Sequence, residues 1–336
     1  MRSKRDSKRL AGRGAAIALL GLACACAPAR DSWSQVRAAG ADALPELEFK
    51  SLPLVMPVGE TELVNGDEPV DPALWTALTV ARSVDGSFCS ATLVGPRTLL
   101  TAAHCVDGYG PPSTNGGDGV GTRRAKVSFG PASIPVVSCT MHPDYASVAI
   151  VDPQRPRSSA DYALCELGRD VPNMIYETLD TATDLGRNAP LLLTGYGCTN
   201  LRVEDGRIVG EFGEGRLRMG MAKADATHVG SQGGHGASYV RIRSQGTEPV
   251  LCPGDSGGPA LTGATIAQRD PSNRRIVAVN SMVEAVTSGS GHVYLSYLAP
   301  LGTDAFRSFQ STWSARKPGA RRVCIGVGPP GPNCRI

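Results

Sequence analysis

Cys252-Pro253-Gly254-Asp255-Ser256-Gly257-Gly258-Pro259 is the stretch on which the reading of the fold turns. It sets one serine among three glycines. Glycine tolerates positive φ and lets backbone N–H groups close on a developing negative charge, where a side chain would intrude. One way to present such a serine is a strand that turns sharply into a helix. Gly257-Gly258-Pro259 is a poor helix start, and it runs on into Thr- and Gly-rich sequence. No alternation of strands and helices surrounds it. The stretch therefore reads as a loop of an all-β protein.

The rest of the chain agrees. Short runs of Val, Leu, Thr and Ser alternate with breaks marked by Gly and Pro. Leu78–Arg82, Ala125–Phe129, Ile134–Cys139, Leu191–Thr194, Tyr239–Arg243 and Ile276–Ser281 are expected strands. Glycine supplies 40 of 336 residues, well above its usual share of ~7%. One helix is expected, Asp304 to Trp313, with Thr303 as its N-cap. Asp107–Thr122 and Val148–Ala160 read as loops.

Two further stretches carry chemistry. Thr101-Ala102-Ala103-His104-Cys105 follows an apolar, strand-like run, Ala91–Leu100, and Asp161-Tyr162-Ala163-Leu164 supplies a carboxylate. A serine hydroxyl is a weak nucleophile at neutral pH and needs a base within hydrogen-bond reach. Imidazole can take the proton and return it, because its pKa lies near working pH. A buried Asp fixes the imidazole tautomer and stabilises the imidazolium. The other histidines, His142, His228 and His235, read as structural or exposed, and His292 is taken up below.

Together TAAHC, DYAL and GDSGGP, in the order His, Asp, Ser, resemble the chymotrypsin/trypsin-like serine protease family, of the type that bacteria secrete. The resemblance implies two six-stranded antiparallel β-barrels, the three residues in the cleft between them, and a C-terminal helix. It implies His104 as general base, Asp161 as its orienter and Ser256 as nucleophile. The backbone N–H groups of Gly254 and Ser256 would form the oxyanion hole. His142, in His-Pro-Asp-Tyr, resembles a structural loop of the family. The α/β-hydrolase pattern would instead need Ser256 first, then Asp270 and His292.

The family activates by a cut before an Ile-Val-Gly-Gly-like start, whose new ammonium pairs with the Asp preceding the nucleophile. Leu63-Val64-Asn65-Gly66 stands where that start belongs, and Asp255 would receive the charge. The resemblance thus implies a zymogen cut between Glu62 and Leu63. Leu replaces the usual Ile or Val, and Glu62 replaces a basic residue. The pocket that reads the residue before the scissile bond would have Val250 as its floor, which disfavours trypsin-like specificity. Ser281-Met282-Val283 would form its wall, with Val283 narrowing the entrance toward small aliphatic residues. His292 would line the same pocket, and an imidazole there can donate to a carboxylate, permitting cleavage after Glu, including Glu62.

The family disulfide that staples the histidine loop implies Cys89–Cys105. Cys139 and Cys165 fall on strands the family makes neighbours, Cys198 and Cys252 both fall beside the site, and Cys324–Cys334 would close a loop in the tail. Sequence alone leaves other connectivities open. No C-x-x-C occurs, and the chemistry requires neither metal nor cofactor.

Composition bounds the rest. Charged residues make up 19% and the net charge is +3, which argues against a nucleic-acid coat. The positive excess gathers at the ends: Arg2, Lys4, Arg5, Lys8, Arg9 and Arg13 outweigh Asp6 at one, and Arg316, Lys317, Arg321, Arg322 and Arg335 meet no acid at the other. The basic start leads into Ala15–Ala27, too short to span a bilayer and typical of an export signal. Contact with a membrane is expected only if Cys24 or Cys26 carries a lipid. The expected organisation is a signal (1–27), a pro-segment or linker (28–62), a protease domain (63–313) and a basic tail (314–336). The expected product is a secreted, extracellular or periplasmic monomer acting on proteins or peptides. The alternative is a silent binding protein on the same fold.

Overall fold

The computed structural model describes residues 47–51, 63–69, 71–82, 88–107, 125–129, 132–146, 159–172, 174–212, 216–230, 238–267, 271–289, 291–320 and 322–326. The expected signal, Glu62, Asp270, His235, Cys334 and most of the two expected loops lie outside these residues. Strands dominate, as the sequence leads one to expect.

The first barrel is built from β1 (Leu47–Ser51), β2 (Leu78–Arg82), β3 (Phe88–Gly95), β4 (Thr98–Thr101), β5 (Ala125–Phe129), β6 (Ala132–Met141) and β7 (Ala163–Leu167). It closes in the order β1-β2-β3-β4-β7-β6-β5. Seven strands stand where six were expected. The extra one is β1, from the stretch read as a linker; it pairs antiparallel with β2 and parallel with β5. The other six strands alternate in direction throughout.

The second sheet contains β8 (Pro190–Gly195), β11 (Arg218–Lys223), β12 (Ala226–Val229), β13 (Tyr239–Ser244), β14 (Pro259–Thr262), β15 (Arg275–Ser288) and β16 (Gly291–Pro300). Its order is β11-β8-β14-β15-β16-β13-β12. The outermost strands, β11 and β12, are joined only by Ala224 and Asp225, so the sheet curls until its two ends meet in one bent run. That bend accounts for a seventh strand here as well. Beside the sheet stands a ribbon, β9 (Cys198–Glu204) with β10 (Arg207–Phe212).

Side chains alternate across each strand, and this divides most of the buried apolar residues among three main cores, with two smaller clusters beside them. Leu93 and Leu99 point into the first barrel, while Val94 and Leu100 point out toward the second. Leu191 and Leu193 fill the second barrel, while Leu192 faces the first. Because both faces are covered, β3 from Ser90 onward and all of β4 are buried at successive positions rather than at alternate ones. The core between the barrels also takes in the last helix, α2 (Asp304–Arg316). The only other α-helix among the described residues is the single turn α1 (Pro143–Ala146). The Thr303 hydroxyl accepts from the Phe306 N–H at 3.1 Å, capping α2 as expected. Phe306, Phe309 and Trp313 form its buried face. Phe306 meets Tyr162 edge-on at 4.9 Å, and Phe309 meets His142 at 5.3 Å. The tail continues as packed structure: the Cys324 N–H donates to the Val94 carbonyl and the Leu179 N–H to the Cys324 carbonyl.

One buried ion pair ties the parts together. Arg274, at the foot of β15, is 1% exposed and grips Glu177, which is 2% exposed, through two guanidinium nitrogens. It also lies over the Trp75 ring and donates to the Leu74 carbonyl, just before β2. Removing one member strands the other as an unpaired buried charge. Glu177→Gln should therefore lower the unfolding free energy by about 3–5 kcal/mol. Arg274→Lys should not substitute, since it lacks the planar fork. Urea denaturation followed by fluorescence measures both; unchanged midpoints would show that the clamp is dispensable.

Candidate active site

Strand pairing brings the histidine and the aspartate together. β4 and β7 are antiparallel neighbours with Thr101 opposite Ala163. Three residues past Thr101 the chain reaches His104, in a short 3-10 turn (Ala103–Cys105). Two residues before Ala163 stands Asp161. Both loops leave the same end of the same pair. The His104 N–H donates to Asp161 Oδ1 at 2.9 Å, and His104 Nδ1 lies 2.7 Å from Asp161 Oδ2. From the second barrel, the Ser281 hydroxyl donates to the same Oδ2 at 2.7 Å. Asp161 is fully buried.

These contacts set the protonation of His104. Burial alone lowers its pKa, but the adjacent Asp161 carboxylate, with help from Asp107, outweighs that and raises it above its ordinary value.

Ser256 lies between Gly254 (φ +101°) and Gly257 (φ +85°), conformations that favour glycine. A side chain on Gly257 would collide with the Ser90 carbonyl and Thr101. The loop is fastened from three sides. The Ser90 N–H donates to the Ser256 carbonyl at 2.6 Å, and the Gly257 N–H to the Asn280 carbonyl at 2.8 Å. The Asn280 amide donates to the carbonyls of Thr194 and Asp255. The Ser90 hydroxyl donates to the Gly254 carbonyl at 3.0 Å and accepts from the Tyr196 N–H. Among the described residues, neither the Gly254 nor the Ser256 N–H donates to a protein acceptor. The Ser256 hydroxyl donates to the Ser281 carbonyl at 3.2 Å, so its link to His104 is open here. Such bonds often tighten only around substrate.

Asp255 is also fully buried and accepts from the N–H groups of Gly197 and Cys252 at 2.7 and 2.8 Å. A Cβ on Gly195 or Gly197 would strike this carboxylate. Leu63 is buried among Leu191, Leu193 and Leu251, with φ +62°, a strained conformation for Leu. Val64 bridges to Val250.

Val250, Val64, Val283, Leu201, Ile208 and Tyr294 surround Cys198–Cys252 in one apolar cluster. Ser281, expected in the pocket wall, turns its hydroxyl to Asp161. His292 is exposed near the tip of the β15–β16 hairpin, opposite Thr287, and lies on the same sheet face as Tyr294 and Val283. His142 is buried between Tyr162 and Phe309, a structural place as expected. Disulfides join Cys89–Cys105, Cys139–Cys165 and Cys198–Cys252, as expected. Cys324 is disulfide-bonded too, but its expected partner Cys334 is outside the described residues. Cys89, His104 and Cys105 cluster closely, but a disulfide offers no thiolate to a metal.

The sequence did not reveal Ser90 and Asn280 as fasteners, nor the ribbon whose Cys198, Leu201 and Ile208 join the apolar cluster around Val250. A lone Ser or Asn carries no periodic signal. The ribbon does have one: Asp205-Gly206, both at positive φ, form its tip, and Asp-Gly is a strong hairpin marker. A family model described as Trypsin matches residues 63–298. The match spans more than half the sequence and takes in every strand of the first barrel but β1, and the chain belongs to the trypsin family, whose function is of the serine protease type.

Proposed function

We propose that this protein is a secreted serine endopeptidase, made as a zymogen, that cleaves peptide bonds through an acyl-enzyme. The observation that supports this most is the short chain of contacts from Ser281 through Asp161 to His104, beside a serine flanked by positive-φ glycine. In the proposed reaction the Ser256 hydroxyl leaves the Ser281 carbonyl and attacks the scissile carbonyl. His104 Nε2 takes its proton, and Asp161 stabilises the imidazolium. The N–H groups of Gly254 and Ser256 receive the oxyanion. His104 then gives the proton to the leaving amine. Water repeats the sequence on the ester, releasing the acid and restoring Ser256. The disulfides accord with an oxidising compartment.

Activation would follow a cut between Glu62 and Leu63. The strained φ of Leu63 supports this, since cutting frees that torsion and gives the new ammonium room to reach a buried carboxylate, Asp255. The apolar surroundings of Val250 and Val283 favour small aliphatic residues before the cut. His292, on the face it shares with Tyr294, would add an acidic preference. No metal or cofactor takes part in this scheme. The rival reading, a silent binding protein, draws on the open Ser256–His104 link.

A serine-reactive phosphonate separates the two readings. The processed protein should be labelled on Ser256, and Ser256→Ala should not; wild type unlabelled before and after processing favours binding.

The histidine must be neutral to accept a proton. Because its pKa is raised, kcat/KM should fall as pH drops through a value above about 6.5. Asp161→Asn should cost about 10⁴-fold in kcat and move the acid limb of the residual activity downward. A limb that stays in place would separate Asp161 from the proton transfer.

The mature N-terminus should be Leu63, and peptide-library cleavage should show an acidic preference that His292→Ala removes. A start elsewhere, or a profile indifferent to His292, would discard this part of the reading.

A further inference from the structure

The first barrel contains a strand that comes from before the proposed cut. β1 lies in the seam between β2 and β5, and both of its edges are used. Glu48, Phe49 and Lys50 face Arg82, Ala81 and Val80 of β2, while Leu47 through Ser51 run beside Ala125 through Phe129 of β5. Phe49 is fully buried within the barrel core, next to residues such as Ala81 and Val127. On the other face, Glu48 accepts from the Ser128 hydroxyl at 2.9 Å and lies 3.9 Å from the Lys126 ammonium. Leu63 is instead buried in the core of the second barrel. The two described ends of the 52–62 connection are thus anchored in different barrels.

A cut before Leu63 severs that connection but breaks none of the contacts that β1 makes. Releasing β1 would bare the facing edges of β2 and β5 at once, and bare edges invite pairing with another chain. It would also empty the space filled by the Phe49 ring. We propose that the segment carrying Leu47–Ser51 stays seated after activation. The working protease is then a two-chain assembly in which the cleaved pro-segment is a non-covalent light chain completing the first barrel. This rests on the activation reading above, and it makes the segment a structural subunit rather than a discarded inhibitor.

The test separates it from that reading. In the full chain bearing Ser256→Ala, a recognition sequence for a site-specific protease is placed between Ser51 and Leu63, and the chain is cut there. On native gel filtration the amino-terminal fragment should travel with the body in equal amounts, parting from it only in denaturant. The amides of Glu48, Phe49 and Lys50 should stay protected from hydrogen exchange. Phe49→Ser should release the fragment after cutting; if that variant does not fold, co-elution in the cut chain without it decides. A fragment that leaves a folded body behind overturns the proposal and shows that six strands close the barrel alone. If natural processing does not begin a chain at Leu63 while the installed cut retains the fragment, the activation reading fails and the seating of β1 stands.

Discussion

A carboxylate removed from water must have its lone pairs satisfied, and the cleft is organised around meeting that demand for Asp161. An unpaired buried charge costs several kcal/mol. The Asp161 carboxylate accepts from the His104 backbone, from the His104 ring and from the Ser281 hydroxyl. Two of these donors belong to the loop after β4, and the third belongs to β15 in the other sheet. The barrels must therefore sit in one relation for the charge to be tolerated. Tyr162, held by Phe306 of α2, fixes the backbone next to it. The helix far along the chain serves the same carboxylate.

Asp255, the residue before Ser256, poses the same problem. Its carboxylate accepts from the backbone N–H groups of Gly197 and Cys252, and glycine stands at 195 and 197, where a Cβ would press on it. Ser256 follows Asp255 in the chain and donates to the carbonyl of Ser281, whose own hydroxyl donates to Asp161. Ser90 spans the gap, tying the Gly254 carbonyl to the Tyr196 N–H. The rigidity of the serine loop comes from these bonds and from Asn280, not from regular secondary structure, for the loop has none.

Much of this was legible in the sequence. The strands at Leu78–Arg82 and Ala125–Phe129 have the expected bounds, because turn residues and short apolar runs mark both. Thr303 announced the helix. Beyond that, the local signal was weak. Leu47–Ser51 offers only one aromatic in an Ala-, Pro- and acid-rich stretch, and its stability comes from two partner strands that no local pattern names. β15 runs on to Ser288, past the expected Ser281, because burial is mixed over its outer half. The bond from the Ser281 hydroxyl to Asp161 carried no signal either, since a hydroxyl's partner across two sheets is invisible along one chain.

The account stands on Ser256 passing its proton to His104 and taking up the acyl group. The most direct measurement is mass spectrometry of the processed protein, acid-quenched during turnover of an ester substrate. The account predicts an acyl adduct on the peptide containing Ser256, absent in Ser256→Ala and in His104→Ala. Turnover that persists in Ser256→Ala, or an adduct that maps elsewhere, would contradict it.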